Sequence, residues 1–78
     1  MKVIFYGRFA DAIAHEVDVD VPQQSTVAEL RSLLDQRYPG LGLNGGHVRA
    51  CVAGAIIGDD LRLSGDQPVE ILAPVSGG

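Results

Sequence analysis

One stretch of the sequence, STVAELRSLLDQRYPG at residues 25–40, has the pattern of a long amphipathic helix and limits the folds that the chain can adopt. Thr26 and Glu29 have the spacing of a capping box, in which each side chain satisfies a free backbone N–H of the first turn. Apolar residues recur at helical spacing on one face, namely Val27, Leu30, Leu33, Leu34 and Tyr38. The polar residues expected to meet water or the rim are Glu29, Arg31, Asp35 and Arg37. Pro39-Gly40 is expected to end the helix.

The segments on either side of this helix have the patterns of short strands. KVIFYG at residues 2–7 is rich in β-branched and aromatic residues, which predicts a strand. HEVDVDVP at residues 15–22 alternates valine with acidic residues, which predicts a half-buried strand near an edge. RFADAIA at residues 8–14 is expected to form a helical turn. After the helix, VRACVAG and AIIG predict two short strands around a tight turn at Ala53-Gly54, and VEILAP predicts the last strand.

The predicted order is therefore β-β-α-β-β-β. Because one amphipathic helix can cover one face of one sheet, the fold class is α+β with two layers. The pattern fits a β-grasp: a mixed sheet of four to five strands, with the first and last strands central and one main helix packed across one face. The residues expected between helix and sheet are Val3, Phe5, Val17, Val19, Leu30, Leu33, Leu34, Val69 and Ile71. Residues 1–78 are predicted to form a single domain with a flexible C-terminal tail at residues 74–78.

Length and composition exclude several classes of function. The chain has 78 residues, which leaves little room for both a core and a deep substrate pocket. The formal net charge is −4 and no basic cluster exists, so a basic protein surface is a better partner than nucleic acid. No segment is long and apolar enough to predict a signal sequence or a membrane span. The single cysteine, Cys51, is interpreted as a small packed residue, and its isolation favours a reducing compartment, so a cytoplasmic protein is expected.

No group of residues has the spacing of a catalytic or metal site. Glu16, Asp18 and Asp20 share one strand face and are interpreted as a solvated surface. His15 and His47 lie far apart, with no cysteine or acid at ligand spacing, so neither is predicted to bind a metal ion.

The segment EILAPVSGG at residues 70–78 joins a strand to a tail that is suited to insertion into another protein. Five residues reach roughly 15 Å beyond the last strand. Pro74 stiffens the exit by fixing its own φ, and Gly77 and Gly78 have no Cβ, so they can pass through a narrow channel. A terminal glycine also leaves its carboxylate sterically open to a nucleophile. The alternative is a terminus that merely frays, as most termini do.

The chain resembles the ubiquitin-like sulfur carriers, and among them most closely the small subunits of molybdopterin synthase. The resemblance spans essentially the whole chain and is carried by KVIFYGRFADAIA, STVAELRSLLDQRYP, LSGDQPVEIL and the ending PVSGG. The family's tail usually has a further proline where this chain has Ala73. Carriers of the thiamine pathway share the Gly-Gly end but usually lack the insertion seen here at residues 8–14.

The resemblance implies a role for the tail. An E1-like adenylyltransferase would use ATP to adenylate the carboxylate of Gly78, and a sulfur donor, a desulfurase or a rhodanese-like protein, would convert it to a thiocarboxylate. The tail residues Pro74, Val75, Ser76 and Gly77 would then enter the large subunit of molybdopterin synthase, where the sulfur helps to build the dithiolene that binds molybdenum. The chain would bind no cofactor or metal of its own and would be a sulfur-donor subunit of a sulfurtransferase complex.

A surface for these partners is predicted on the face of the sheet opposite the helix. In the predicted register Ile4, Tyr6 and Leu72 point to that face, and little else in so short a chain is left to cover it. The alternative is that the loop at residues 40–47 folds over these three side chains.

Other interpretations stay open. The chain could be a sulfur carrier for another pathway, such as thiamine synthesis, tRNA thiolation or cysteine synthesis. It could also be a ubiquitin-like modifier whose tail forms isopeptide bonds, or a plain interaction domain whose tail forms no bond. Because the carriers and the modifier begin with the same adenylate, the Gly-Gly end does not separate them.

Overall fold

The computed structural model describes residues 1–64 and 67–73, and this part of the chain contains five strands and two helices. The strands are β1 (Lys2–Phe5), β2 (Glu16–Asp18), β3 (Arg49–Val52), β4 (Ala55–Ile57) and β5 (Val69–Leu72), and the helices are α1 (Arg8–Ala12) and α2 (Val27–Arg37). The strand order is β2-β1-β5-β3-β4. β1 and β5 run parallel, while the other neighbouring strands are antiparallel. Neither helix combines the length and the apolar character that a membrane span requires.

This arrangement is the β-grasp that the element pattern predicts. β5 lies at the centre of the sheet between β1 and β3, so the first and last strands are both internal, and β2 is an edge strand. β3 and β4 are joined by the predicted two-residue turn, with Val52 paired to Ala55. Ala53 and Gly54 both have positive φ, 52° and 82°, as the favoured tight hairpin turns require.

Helix α2 begins with the predicted capping box. Glu29 Oε1 accepts a hydrogen bond from the Thr26 backbone N–H at 2.9 Å, and Thr26 Oγ1 accepts one from the Glu29 backbone N–H at 3.2 Å. The Thr26 backbone N–H, with a further contribution from the Thr26 hydroxyl, holds the pKa of Glu29 below its ordinary value because both groups donate to the charged form. The helix ends at Arg37, with Tyr38 as its C-cap, directly before Pro39-Gly40.

The core lies between α2 and one face of the sheet, which we call the inner face. Phe9 of α1 also enters the core and meets Phe5 edge-on, with 6.5 Å between ring centroids. The predicted core residues that are buried are Val3, Phe5, Val19, Leu30, Leu34, Val69 and Ile71.

Full burial was wrongly predicted for Val17 and Leu33. Both are half-buried and pack against the core from its margin. Val17 lies on the edge strand β2, which has a neighbour on one side only. Leu33 lines a shallow groove along α2 together with polar residues such as Glu29 and Gln36, so its side chain keeps contact with solvent.

Arg31 also departs from the sequence-based expectation, which placed it at the rim. The residue is only 7% exposed. Its Nε donates to the carbonyl oxygen of Leu43 at 3.2 Å, Nη1 donates to Asp59 Oδ1 at 2.9 Å, and Nη2 donates to the carbonyl oxygen of Gly45. These acceptors compensate the burial of a positive charge. Arg31 therefore ties α2 to the loop that follows it and to the segment that follows β4.

Candidate functional site

The candidate site begins where β5 ends. The parallel pairing of β1 with β5 aligns Phe5 with Ile71, so the residues after β1 lie beside the residues after β5. The Tyr6 backbone N–H donates to the carbonyl oxygen of Ile71 at 3.3 Å. A Cβ built on Gly7 would lie 3.6 Å from the Cβ of Ala73, the last described residue. The start of the tail therefore leaves the sheet next to Tyr6 and Gly7.

The tail itself carries the reaction in the sequence-based hypothesis. The residues assigned to it are Pro74, Val75, Ser76, Gly77 and Gly78, and they lie outside the described residues. The described structure bears on them only through Ala73, which fixes the point of the sheet from which they depart.

The three predicted docking residues share one face of the sheet. Val3, Phe5, Val69 and Ile71 point inward and are fully buried, so by strand alternation Ile4, Tyr6 and Leu72 point to the opposite face, which we call the outer face. Ile4 and Leu72 are half-buried there, and Tyr6 is 38% exposed. The sequence pattern thus placed the three side chains correctly, while their role in docking stays a prediction.

The loop after α2 lies on the helix side of the sheet. Leu43 of this loop is buried in the core, and Arg31 of α2 binds the carbonyl oxygens of Leu43 and Gly45. A loop held in this way to α2 does not fold over the outer face. The alternative in which residues 40–47 cover Ile4, Tyr6 and Leu72 is therefore wrong.

A polar pair lies within this apolar part of the outer face. The Tyr6 hydroxyl donates a hydrogen bond to Glu70 Oε2 at 3.0 Å, and the Tyr6 ring meets the His15 ring edge-on at 5.8 Å between centroids. The hydrogen bond to Glu70, followed by burial of the phenol and by the charge of the carboxylate, raises the pKa of Tyr6 above its ordinary value of 10.0.

Sequence reasoning missed Glu70 as a member of the site. The alternation of VEIL does assign Glu70 to the same face as Leu72. Its contact with Tyr6, however, joins residues 64 positions apart and depends on the parallel register of β1 and β5. Neither strand alone carries a signal for that register.

The Tyr6–Glu70 hydrogen bond can be tested by titrating the phenol. In a Tyr38→Phe background, which leaves Tyr6 as the only tyrosine, the ultraviolet absorbance of the phenolate should titrate with a midpoint above 10.0. Glu70→Gln should lower this pKa, because a neutral amide oxygen accepts a weaker hydrogen bond from the phenol than the carboxylate does, and because the charge that opposes formation of the phenolate is lost. An unchanged or higher midpoint in the Glu70→Gln protein would contradict the contact.

The acidic residues of β2 and the cysteine of β3 take no part in the Tyr6–Glu70 hydrogen bond. Glu16, Asp18 and Asp20 are exposed along and just beyond β2, and Lys2 Nζ lies 3.5 Å from Glu16 Oε2. Cys51 is buried in β3, as expected for a packed residue. Within residues 1–64 and 67–73, no three His, Cys, Asp or Glu side chains are grouped so that they could hold a metal ion.

Comparison with known proteins identifies the family. The model of the ThiS family matches residues 3–78. The chain belongs to the ThiS family. A search of curated protein sequences found no match to this ThiS-family chain.

Solved structures share the fold of this ThiS-family protein at low sequence identity. SAMP1 from Haloferax volcanii superposes with a TM-score of 0.81 at 21% identity, covering 99% of this chain and 97% of that one. A second structure of H. volcanii small archaeal modifier protein 1 gives 0.79 at 18% identity, with 95% of both chains covered. A Pyrococcus furiosus protein provisionally named molybdopterin converting factor, subunit 1, gives 0.80 at 22% identity, again with 95% of both chains covered. These likenesses establish the ubiquitin-like β-grasp fold.

Proposed function

We propose that this ThiS-family chain is a sulfur carrier, that Gly78 ends the mature protein, and that the α-carboxylate of Gly78 is its reacting group. The observation that carries the proposal is the position of β5. The last described strand lies at the centre of the sheet and ends at Leu72, beside Tyr6, which is 38% exposed on the outer face. A partner that binds this face lies within reach of the five residues that follow Ala73.

The chemistry needs an activated carboxylate. A carboxylate oxygen of Gly78 attacks the α-phosphorus of ATP in the active site of an E1-like adenylyltransferase, and pyrophosphate leaves. The outer sulfur of a persulfide on the sulfur donor then attacks the acyl carbon, and AMP leaves, which joins the chain to the donor through an acyl disulfide. A thiol then attacks the donor's own sulfur and breaks this S–S bond, so that a disulfide forms on the donor and the thiocarboxylate is released. The glycine has no side chain to shield its carbonyl carbon from the incoming sulfur. ATP is thus used by the partner, and general acid–base groups belong to the partner as well.

For the pathway, we propose that the chain is the small subunit of molybdopterin synthase and donates its sulfur in molybdopterin synthesis. Helix α1 (Arg8–Ala12) occupies the position of the insertion that thiamine-pathway carriers usually lack. The similarity to the P. furiosus molybdopterin converting factor is consistent with this assignment. The partners are then the large synthase subunit, the adenylyltransferase and a desulfurase or rhodanese-like sulfur donor, all in the cytoplasm.

The similarity to H. volcanii small archaeal modifier protein 1 favours a second candidate, a ubiquitin-like modifier. A modifier uses the same adenylate, but a lysine amine takes the place of the sulfur donor. The product is then an isopeptide bond on another protein instead of a thiocarboxylate.

Intact-mass spectrometry separates these functions. The protein would be produced in a host that contains its activating enzyme, and its mass would be compared with that of protein made without this enzyme. A sulfur carrier gains the difference between one sulfur and one oxygen atom, whereas a modifier yields species carrying the mass of a second protein. A mass that is unchanged with every co-expressed activating enzyme of the source organism contradicts both functions.

The docking face gives a prediction of its own. Leu72→Asp or Tyr6→Asp should leave the domain folded but prevent binding to the large subunit or the adenylyltransferase, because each places a charge in the apolar contact. Leu61→Asp is a matched control, because Leu61 is 46% exposed and its carbonyl oxygen accepts from the first residue of α2, on the other side of the sheet. Titration calorimetry would measure binding, and circular dichroism would check the fold. If the three variants and the unchanged protein bind with equal affinity, docking uses another surface.

A further inference from the structure

Glu70 occupies the middle of the outer face. It lies on β5, the central strand, where the register aligns it with Ile4 of β1 on one side and with Cys51 of β3 on the other. Ile4 is half-buried and Cys51 is buried, so the carboxylate is bordered by apolar neighbours along this row. A protein that covers Ile4, Tyr6 and Leu72 must cover Glu70 too.

The carboxylate of Glu70 is only partly satisfied within the chain. A carboxylate offers about four acceptor positions. The Tyr6 hydroxyl fills one of them, and no other group in residues 1–64 and 67–73 donates to the Glu70 side chain. In the free protein, water can serve the remaining positions, because Glu70 is only half-buried. Docking displaces that water.

Glu70 also differs from the neighbouring acid of the same row. Glu16, aligned with the other side of Ile4, has Lys2 Nζ at 3.5 Å. Within the described residues, no cationic group lies within salt-bridge distance of Glu70. A charge that is desolvated without a counter-charge opposes binding strongly. Arg49, which the register places beside Leu72, donates to the carbonyl oxygen of Gly46 instead. A cation on the partner would supply the counter-charge that Glu70 lacks when this face is buried.

We propose that Glu70 is a specificity-determining residue that pairs with an arginine or lysine side chain on the docking surface of the adenylating enzyme. This inference rests on the proposed function. The adenylating enzyme is the relevant partner because the carrier and the modifier both begin with adenylation. Tyr6 acts as a positioning residue: its hydroxyl holds one carboxylate oxygen and leaves the other free for the incoming cation. The formal net charge of −4 matches a basic partner surface in sign.

The test uses ATP–pyrophosphate exchange catalysed by the E1-like adenylyltransferase of the source organism, with the full-length chain as substrate. Glu70→Gln keeps the shape of the side chain but removes its charge. We expect kcat/KM for the chain to fall by about thirtyfold, mainly through KM, as is usual when one member of a buried charge pair is lost. The decrease of kcat/KM with added salt should also become less steep, because one ion pair fewer is screened.

Asp60→Asn is the matched control. It makes the same change of charge in the exposed segment after β4, which contacts the first turn of α2 on the far side of the sheet. It should change kcat/KM by less than about twofold, since an exposed charge away from an interface contributes little. Equal losses for Glu70→Gln and Asp60→Asn would overturn the proposal and leave only a general effect of net charge.

A charge exchange identifies the pair directly. Glu70→Lys should prevent exchange activity, and replacing the partner's matching basic residue by glutamate should restore it. If no such replacement among the basic residues of the docking surface restores activity, the proposed pair is wrong. These outcomes are distinct from failure of the proposed function, in which the unchanged chain itself would show no exchange activity with the enzyme.

Discussion

Deletion of Gly78 should abolish sulfur acceptance and leave the melting temperature nearly unchanged. The reacting carboxylate would then belong to Gly77, one residue or about 3.5 Å short of its position in the adenylating site. A displacement of this size removes the alignment with the α-phosphorus of ATP on which the reaction depends. The fold should not respond, because the core of the described structure ends with Ile71 and the half-buried Ala73.

Two further variants separate the position of the carboxylate from the chemistry of the tail. One alanine appended after Gly78 should also abolish sulfur acceptance, because it moves the carboxylate too far and adds a Cβ next to it. Ser76→Ala keeps the length of the tail and should retain most of the activity. Each protein would be incubated with ATP, the adenylyltransferase and a sulfur donor, and intact-mass spectrometry would then measure the fraction that has gained sulfur. A shortened chain that still gains sulfur would show that another group carries it.

The β-grasp fold could be predicted from the sequence because its strongest signals are local. The capping box of Thr26 and Glu29, the alternation around Val17 and the Ala53-Gly54 turn each describe a few neighbouring residues. The count and order of the elements then leave few ways to cover one sheet with one helix. The position of β5 at the centre of the sheet followed from this reasoning and is confirmed.

The environment of Arg31 could not be predicted because it depends on distant parts of the chain. Helical periodicity places this residue away from the apolar stripe, which favours a solvated side chain. In the structure its acceptors come from Leu43 and Gly45 in the loop after α2 and from Asp59, 28 residues away. A glycine-rich loop gives no sequence signal of where its carbonyl oxygens will point.

The candidate site divides in the same way. The alternation of KVIFYG and VEIL was enough to place Ile4, Tyr6 and Leu72 on the face opposite the helix. The pairing of Tyr6 with Glu70 was not predictable, since it requires the register between two parallel strands from opposite ends of the chain. The apolar part of the site can thus be predicted from local sequence patterns, whereas the Tyr6–Glu70 pair depends on how distant strands are aligned in the fold.

Leu34→Ala should destabilise the domain by about 2–5 kcal/mol, whereas Leu33→Ala should cost only about 1 kcal/mol. The two leucines are adjacent on α2 and lose the same atoms, so the substitutions have the same effect on helix propensity. They differ in burial. Leu34 is fully buried in the core, and its removal leaves a cavity, while Leu33 borders a groove that is open to water.

The free energy that Leu34→Ala is expected to remove is a large fraction of the total stability of this domain. A chain of 78 residues is expected to have about 4–12 kcal/mol of unfolding free energy. Each kcal/mol lost lowers Tm by about 4–8 °C in a domain of this size. Leu34→Ala should therefore lower Tm by at least about 8 °C, and the loss should exceed that of Leu33→Ala in both thermal and urea unfolding. Losses that are equal, or larger for Leu33→Ala, would mean that α2 is rotated about its axis relative to the sheet. Such a rotation would also withdraw Arg31 from its acceptors in the loop after α2. The pair of leucine variants therefore tests which face of α2 packs against the sheet.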